Sequence, residues 1–134
     1  MSLLGAKKSR KKPVVLVADD ESEIRHLLKE ALELYGFDVV EAVDGMEALR
    51  IFKEIRPNLV ISDIYMPFLN GVVLLNKIKI LAIYTPVILI TGYSHYKQLL
   101  DGSRFPPDGF IEKPFSIEEL HATVTRVISY KTRR

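Results

Sequence analysis

The sequence predicts an α/β domain: a doubly wound, five-stranded parallel sheet with helices on both faces and a short or irregular fourth helix. Three observations predict it. Short apolar runs rich in β-branched residues alternate with stretches carrying apolar residues at helical spacing, about five times along the 134 residues. The apolar runs are continuous rather than alternating, as in strands buried on both faces. The links are short, so each crossover returns the next strand parallel to the last, with right-handed connections.

The elements follow in order. "VVLVADD" (Val14–Asp20) reads as the first strand. "ESEIRHLLKEALELYG" places Ile24, Leu27, Leu28, Ala31 and Leu34 on one helical stripe, and Gly36 suits the stop. "FDVVEA" is the second strand. "DGMEALRIFKEI" opens on Asp44 with Glu47 three residues later, a capping-box spacing, and Pro57 closes the element. "LVISD" is the third strand, and Gly71–Leu81 the third helix. "TPVILITG" is the fourth strand, with Pro86 tolerable at its start. In "GYSHYKQLLDGSRFPPDG", Tyr96, Leu99 and Leu100 support a stunted helix that Asp101-Gly102 ends and Pro106-Pro107 keeps from resuming. "GFIEK" is a short fifth strand. Ser116 and Glu119 form a second capping box, Phe115 and Leu120 sit at staple positions, and Leu120, Val124, Val127 and Ile128 line one side of the last helix.

Composition excludes several classes. The length suits one domain with a single core. No apolar run reaches the roughly 18 residues of a membrane span, and no apolar segment follows the basic N-terminus as in a signal peptide. With no cysteine, disulfides, thiol catalysis and cysteine-ligated zinc are excluded, and a cytoplasmic location is expected. The net charge of +2 hides an uneven distribution. Lys7, Lys8, Arg10, Lys11 and Lys12 lie in residues 1–12, and Lys131, Arg133 and Arg134 in 131–134. Setting these eight aside leaves 11 basic against 17 acidic residues, a body of charge −6. Residues 1–12 are thus expected to be a solvated basic tail or a cloning remnant, 13–130 the domain, and 131–134 a second basic tail. The body shows no basic face with interleaved aromatics, so neither nucleic-acid nor membrane binding is expected of it.

In an open parallel sheet the carboxyl ends of the strands share one edge, where such folds bind ligands. Here those ends carry Asp19 and Asp20, Asp63, Thr91 and Lys113. Taken singly, each has a bland explanation as a turn former, a cap or a strand residue. Together they place three carboxylates on one rim, where they repel unless a cation joins them. Hard oxygen ligands in an incomplete cage suit Mg²⁺, which shares its shell with phosphoryl groups. A metal, an ammonium and a hydroxyl stabilise a transferring phosphoryl group, and the remaining carboxylate is free to act as nucleophile.

In order and spacing, "VADDE", "ISDIYMP", "ITG" and "EKPF" resemble the receiver domain of two-component response regulators, over roughly Val14 to Ile128. The resemblance implies a flavodoxin-like sheet of strand order 2-1-3-4-5. It implies that Asp63 is the phosphoacceptor, that Asp20 ligates Mg²⁺ directly and Asp19 through water, and that Tyr65 offers its backbone carbonyl. Thr91 and Lys113 match the phosphoryl-contacting pair, Phe110 the aromatic switch residue, and Lys113–Pro114 a cis peptide bond. The partner implied is a sensor histidine kinase or a histidine phosphotransfer protein. Only self-phosphorylation and slow self-dephosphorylation are expected as catalysis.

Some positions depart from the family pattern. Tyr65 and Tyr93 are bulky where the route of attacking water is often lined by polar residues, which implies a long-lived acyl phosphate. Gly92 keeps the phosphoryl entrance open. Asn70 replaces a frequent Asp and reads as a turn residue. The stunted fourth helix weakens the expectation of dimerisation through that helix, and "ITGYS" is closer to receivers attached to sensor kinases. His26, His95 and His121 read as surface polar residues. Two rival classes share parts of the pattern. An aspartate-nucleophile phosphohydrolase needs a second Asp where Tyr65 stands. A pseudo-receiver used only for docking is expected to lose acidic or Lys positions that are all present here. Too few residues follow the last helix for an output domain, so the expectation is a stand-alone relay or a receiver belonging to a longer polypeptide.

Overall fold

The computed structural model describes residues 12–92 and 96–132. β1 (Val14–Ala18), β2 (Asp38–Ala42), β3 (Leu59–Asp63), β4 (Val87–Thr91) and β5 (Gly109–Glu112) alternate with five helices among the described residues. These are α1 (Ser22–Leu34), α2 (Gly45–Ile55), α3 (Gly71–Leu81), α4 (Tyr96–Asp101) and α5 (Ile117–Thr132). The sheet is parallel throughout, in the order β2-β1-β3-β4-β5. The central strands β3 and β4 are buried at every residue, as their uninterrupted apolar sequences require.

Each face of the sheet has its own core. Leu16, Val60 and Leu89 point to the layer of α2 and α3, where they meet Phe52, Leu74, Leu75 and Ile78. Val15, Val17, Ile61 and Ile90 point the other way, to Leu28, Leu32, Leu120 and Val124 of α1 and α5. The two sets alternate along each strand, because successive side chains leave a strand on opposite faces.

Both capping boxes form. Glu47 N donates to Asp44 Oδ1 at 2.8 Å while Glu47 Oε1 accepts from Val43 N, also at 2.8 Å. At α5, Glu119 N donates to Ser116 Oγ (3.0 Å) and Ser116 N to Glu119 Oε1 (2.8 Å). Asn70 is the N-cap of α3, its side chain accepting from Val73 N, a more definite role than the turn residue expected. Gly36 follows α1 at φ 93°, the left-handed stop its position predicts. The α1 stripe needs a correction. Leu34 is 84% exposed and Leu27 also faces solvent, whereas Leu32, absent from the expected stripe, is fully buried. The buried face runs Ile24–Leu28–Ala31–Leu32, rotated from the expected one because the sheet, not the count of apolar residues, sets which side is covered.

α4 has six residues and gives way to an irregular segment before β5. Two residues of α3 hold that segment. Asn76 Nδ2 donates to Ser103 Oγ (2.8 Å), and Asn76 Oδ1 accepts from Arg104 N (3.1 Å). Lys79 is buried, its Nζ 2.7 Å from Asp108 Oδ2 and 2.8 Å from the Thr85 carbonyl oxygen. α5 continues to Thr132, two residues past the boundary expected at 130. No described helix is long and apolar enough to cross a membrane.

Candidate functional site: an acidic pocket at the carboxyl edge of the sheet

β1 and β3 are hydrogen-bonded neighbours, so the residues at their carboxyl ends are adjacent without any loop having to reach. Asp19 follows β1 and Asp63 ends β3; both are buried, at 1% and 5% exposure, while Asp20 is exposed. Oxygens of Asp19, Asp20 and Asp63 lie within 4.8 Å of one another. Lys113, just past β5, brings its Nζ to 3.2 Å from Asp19 Oδ2 and 3.4 Å from Asp63 Oδ1. The contact with Asp63 is an ion pair without hydrogen-bond geometry, and Asp63 Oδ1 is a buried oxygen with no hydrogen-bond partner.

This arrangement is electrostatically costly. Burial pushes the Asp63 carboxyl up to about 7, the charge of Asp19 adding to the effect and Lys113 opposing it. Burial also raises Asp19, against a hydrogen bond from Glu21 N and the pull of Lys113. Burial alone would lower the Lys113 ammonium, but the Asp63 and Asp19 charges outweigh it and the net shift is upward. Three carboxylates held close, one of them with an unsatisfied oxygen, fit a small hard cation of the Mg²⁺ type.

Thr91 is buried at the end of β4, one residue beyond Ile90, the register partner of Asp63. The backbone N–H of Lys113 donates to the Thr91 carbonyl oxygen at 2.8 Å, which fixes the two strand ends side by side. Gly92 adjoins Lys113: a Cβ built there would stand 3.4 Å from the Lys113 Cβ. Tyr65 and Phe110 are half-buried and pack against the core on the α2–α3 face. The Lys113–Pro114 bond is cis. Tyr93 and His95 lie outside the described residues. His26 and His121 are exposed on α1 and α5, and the His121 ring stacks on Tyr35 at 4.0 Å.

Several contributors escape sequence reasoning. Glu21 Oε1 accepts from Lys113 Nζ at 3.1 Å, and Arg25 Nη1 donates to the Asp19 carbonyl oxygen at 2.8 Å. Glu21 stands within the motif "VADDE", but nothing local marks it as a partner of a residue 92 positions away. The β3–α3 loop is held by two glycines. A Cβ on Gly71 would collide with the backbone oxygen of Asp63, and one on Gly45 with the backbone oxygen of Leu69. Between these contacts the chain makes a γ-turn, Leu69 N donating to the Pro67 carbonyl oxygen at 2.7 Å, with Phe68 at φ 70°. The chain therefore turns sharply at Phe68, one residue past the "ISDIYMP" motif.

A parallel sheet of this strand order with an acidic pocket and a lysine at its carboxyl edge defines a flavodoxin-like domain of the CheY-like class. The profile of the response regulator receiver domain matches residues 15–125, and the chain belongs to that family of two-component signalling domains. Among curated relatives, a probable transcriptional regulator ycf27 of Porphyridium aerugineum is 39% identical over 117 residues, 87% of this chain and 48% of that protein. Among solved structures, a response regulator receiver domain protein from Clostridium thermocellum superposes with a TM-score of 0.82 at 31% identity, covering 90% of this chain and 97% of that one. The signal receiver domain of a histidine kinase from Syntrophus aciditrophicus matches equally, with a TM-score of 0.82, 31% identity, and coverage of 91% and 94%. The chain spans about half or less of the length of the curated relatives it matches.

Proposed function

We propose that Asp63 accepts a phosphoryl group from a phosphohistidine of a sensor histidine kinase or histidine phosphotransfer protein, in a Mg²⁺-dependent reaction in the cytoplasm. The observation that carries this reading is the state of Asp63: buried on a rigid strand end, one oxygen unsatisfied, and beside Asp19, Asp20 and Lys113. Asp19, Asp20, Asp63 and the backbone carbonyl of Tyr65 would hold the metal. When bound, it offsets carboxylate repulsion and neutralises charge on the phosphoryl oxygens.

In the transfer, an Asp63 oxygen forms a bond to phosphorus as the bond from phosphorus to the donor imidazole nitrogen breaks, and the imidazole leaves with that electron pair. Lys113 stabilises the charge on the phosphoryl oxygens. The Thr91 hydroxyl then donates to one of them, and Phe110 moves inward behind it. This shifts the surface of β4, β5 and α5 between two pre-existing populations, biased by contacts that exist only with the phosphoryl group present. Tyr65 and Tyr93 shield the acyl phosphate from water and lengthen its life.

Incubation with a small-molecule phosphodonor and Mg²⁺, followed by intact-mass measurement, tests this. The wild-type chain gains the mass of one phosphoryl group, and Asp63→Asn, folded by circular dichroism, gains none. Full modification of the variant would move the acceptor elsewhere. An unmodified wild type would leave a receiver fold used for docking alone.

A further inference from the structure

At the edge of the sheet opposite Asp63, large apolar side chains crowd the surface. Ile80, Leu81, Ile83 and Tyr84 are 67%, 43%, 48% and 71% exposed, four such residues within five positions. Single exposed apolar residues are ordinary, but a contiguous patch rimmed by polar groups marks an interaction surface. Two clefts meet there and share Leu81. One, of about 220 Å³, lies between α2 and α3 and is lined by Leu49, Lys53, Lys77, Ile80 and Leu81. The other, of about 470 Å³, is lined in part by Pro57, Ile83, Tyr84 and Pro86.

The charged side chains that line the first cleft share one sign, and among the described residues the second cleft is lined by none. Lys53 and Lys77, both exposed, line the first, and no acidic side chain lines either among the described residues. Spacing extends the pattern along the helices. Leu49 and Lys53 stand at i and i+4 on α2, and Lys77 and Leu81 do so on α3, so each helix pairs an apolar residue with a lysine on the side that lines the first cleft. The two helices pack side by side. The result is a furrow with an apolar floor and basic flanks, the counterpart of a helix with apolar residues at i, i+3, i+4 and i+7 and acids beside them.

Two other occupants fit poorly. The terminal runs of this chain are themselves basic, so they would meet Lys53 and Lys77 with like charge. A second copy packed face to face across a two-fold axis would bring together two furrows of the same positive sign, lysines facing lysines. We infer that the α2–α3 furrow docks an acidic amphipathic helix of a partner protein, at a surface separate from the acidic pocket.

The probe is a helix-stabilised synthetic peptide of about four turns, leucine along one face and glutamate on the rest, titrated into the protein while amide chemical shifts are followed. Shifts are expected around residues 49, 53, 77 and 80–84. Lys53→Glu with Lys77→Glu weakens binding by about tenfold or more, the same peptide with lysine for glutamate does not bind, and Asp63→Asn binds as the wild type does. Spectra of the double variant away from the furrow report that its fold is kept. No binding, equal binding of both peptides, or shifts centred on the acidic pocket would overturn the inference. So would a concentration-dependent dimer that Ile80→Ser abolishes, which would make a second copy the occupant.

Discussion

Asp63 is placed where a carboxylate is costly, and that cost has a measurable sign. Its pKa rises from 3.8 to about 7 in the fold, chiefly through burial, so between those values the folded chain holds a proton that the unfolded chain has released. By linkage, this group takes stability away as pH rises through that window, and none below it. In chelator-treated protein, Asp63→Asn should therefore be more stable than wild type at pH 8, by up to about 4 kcal/mol, with the gain shrinking towards zero near pH 4. Urea midpoints across pH read this directly, and a gain independent of pH would contradict the assignment. Phe68 shows local cost of another kind. It is 85% exposed at positive φ, where a bulky residue is uncommon, and its loop is fixed on both sides by backbone contacts to glycines.

The β3–α3 connection is the element on which the pocket depends. Gly71 N donates to the Ile64 carbonyl oxygen at 2.7 Å, and the absence of a side chain at Gly71 lets α3 begin directly against the end of β3. Gly71→Ala puts a methyl group into the Asp63 backbone, and the chain must shift to make room. The expected loss is about 2–4 kcal/mol, measured by urea unfolding, together with slower phosphorylation of whatever fraction remains folded. A variant with unchanged stability would show that the loop gives way freely. α3 also sets the far end of the sheet, because Asn76 and Lys79 hold residues 103–108 just ahead of β5. Lys79 is buried with its charge met by Asp108 and two backbone carbonyls, the condition under which a buried ammonium is tolerated. The short α4 is thus followed by an anchored segment rather than a loose one.

For the molecule as a whole, the sheet divides chemistry from docking: acids and Lys113 at the carboxyl edge, the basic and apolar furrow towards the other. Metal binding is expected to show in global stability. Mg²⁺ at about a hundred times its dissociation constant adds about 2.7 kcal/mol, a chelator removes it, and Asp20→Asn loses the gain while its metal-free stability stays near that of wild type because Asp20 is exposed. Thermal shift at fixed pH measures all three, and an equal gain in Asp20→Asn would exclude that residue as a ligand. The strands, the caps at Asp44 and Ser116, and the set Asp19, Asp20, Asp63, Thr91 and Lys113 were legible in the chain, because periodicity, capping spacing and strand-end position are local properties. Glu21 as a partner of Lys113, Leu32 rather than Leu34 as the covered residue of α1, the γ-turn at Phe68 and the grip of α3 on residues 103–108 were not. Each depends on which surfaces the packed layers bring together, and contacts between residues far apart in sequence leave no periodic trace. The sequence by itself determined the order of elements and the chemistry at the carboxyl ends of the strands. Only tertiary structure decided how deeply Asp63 is buried and how close its neighbours stand, because desolvation and Coulomb energy depend on distances that no single segment contains.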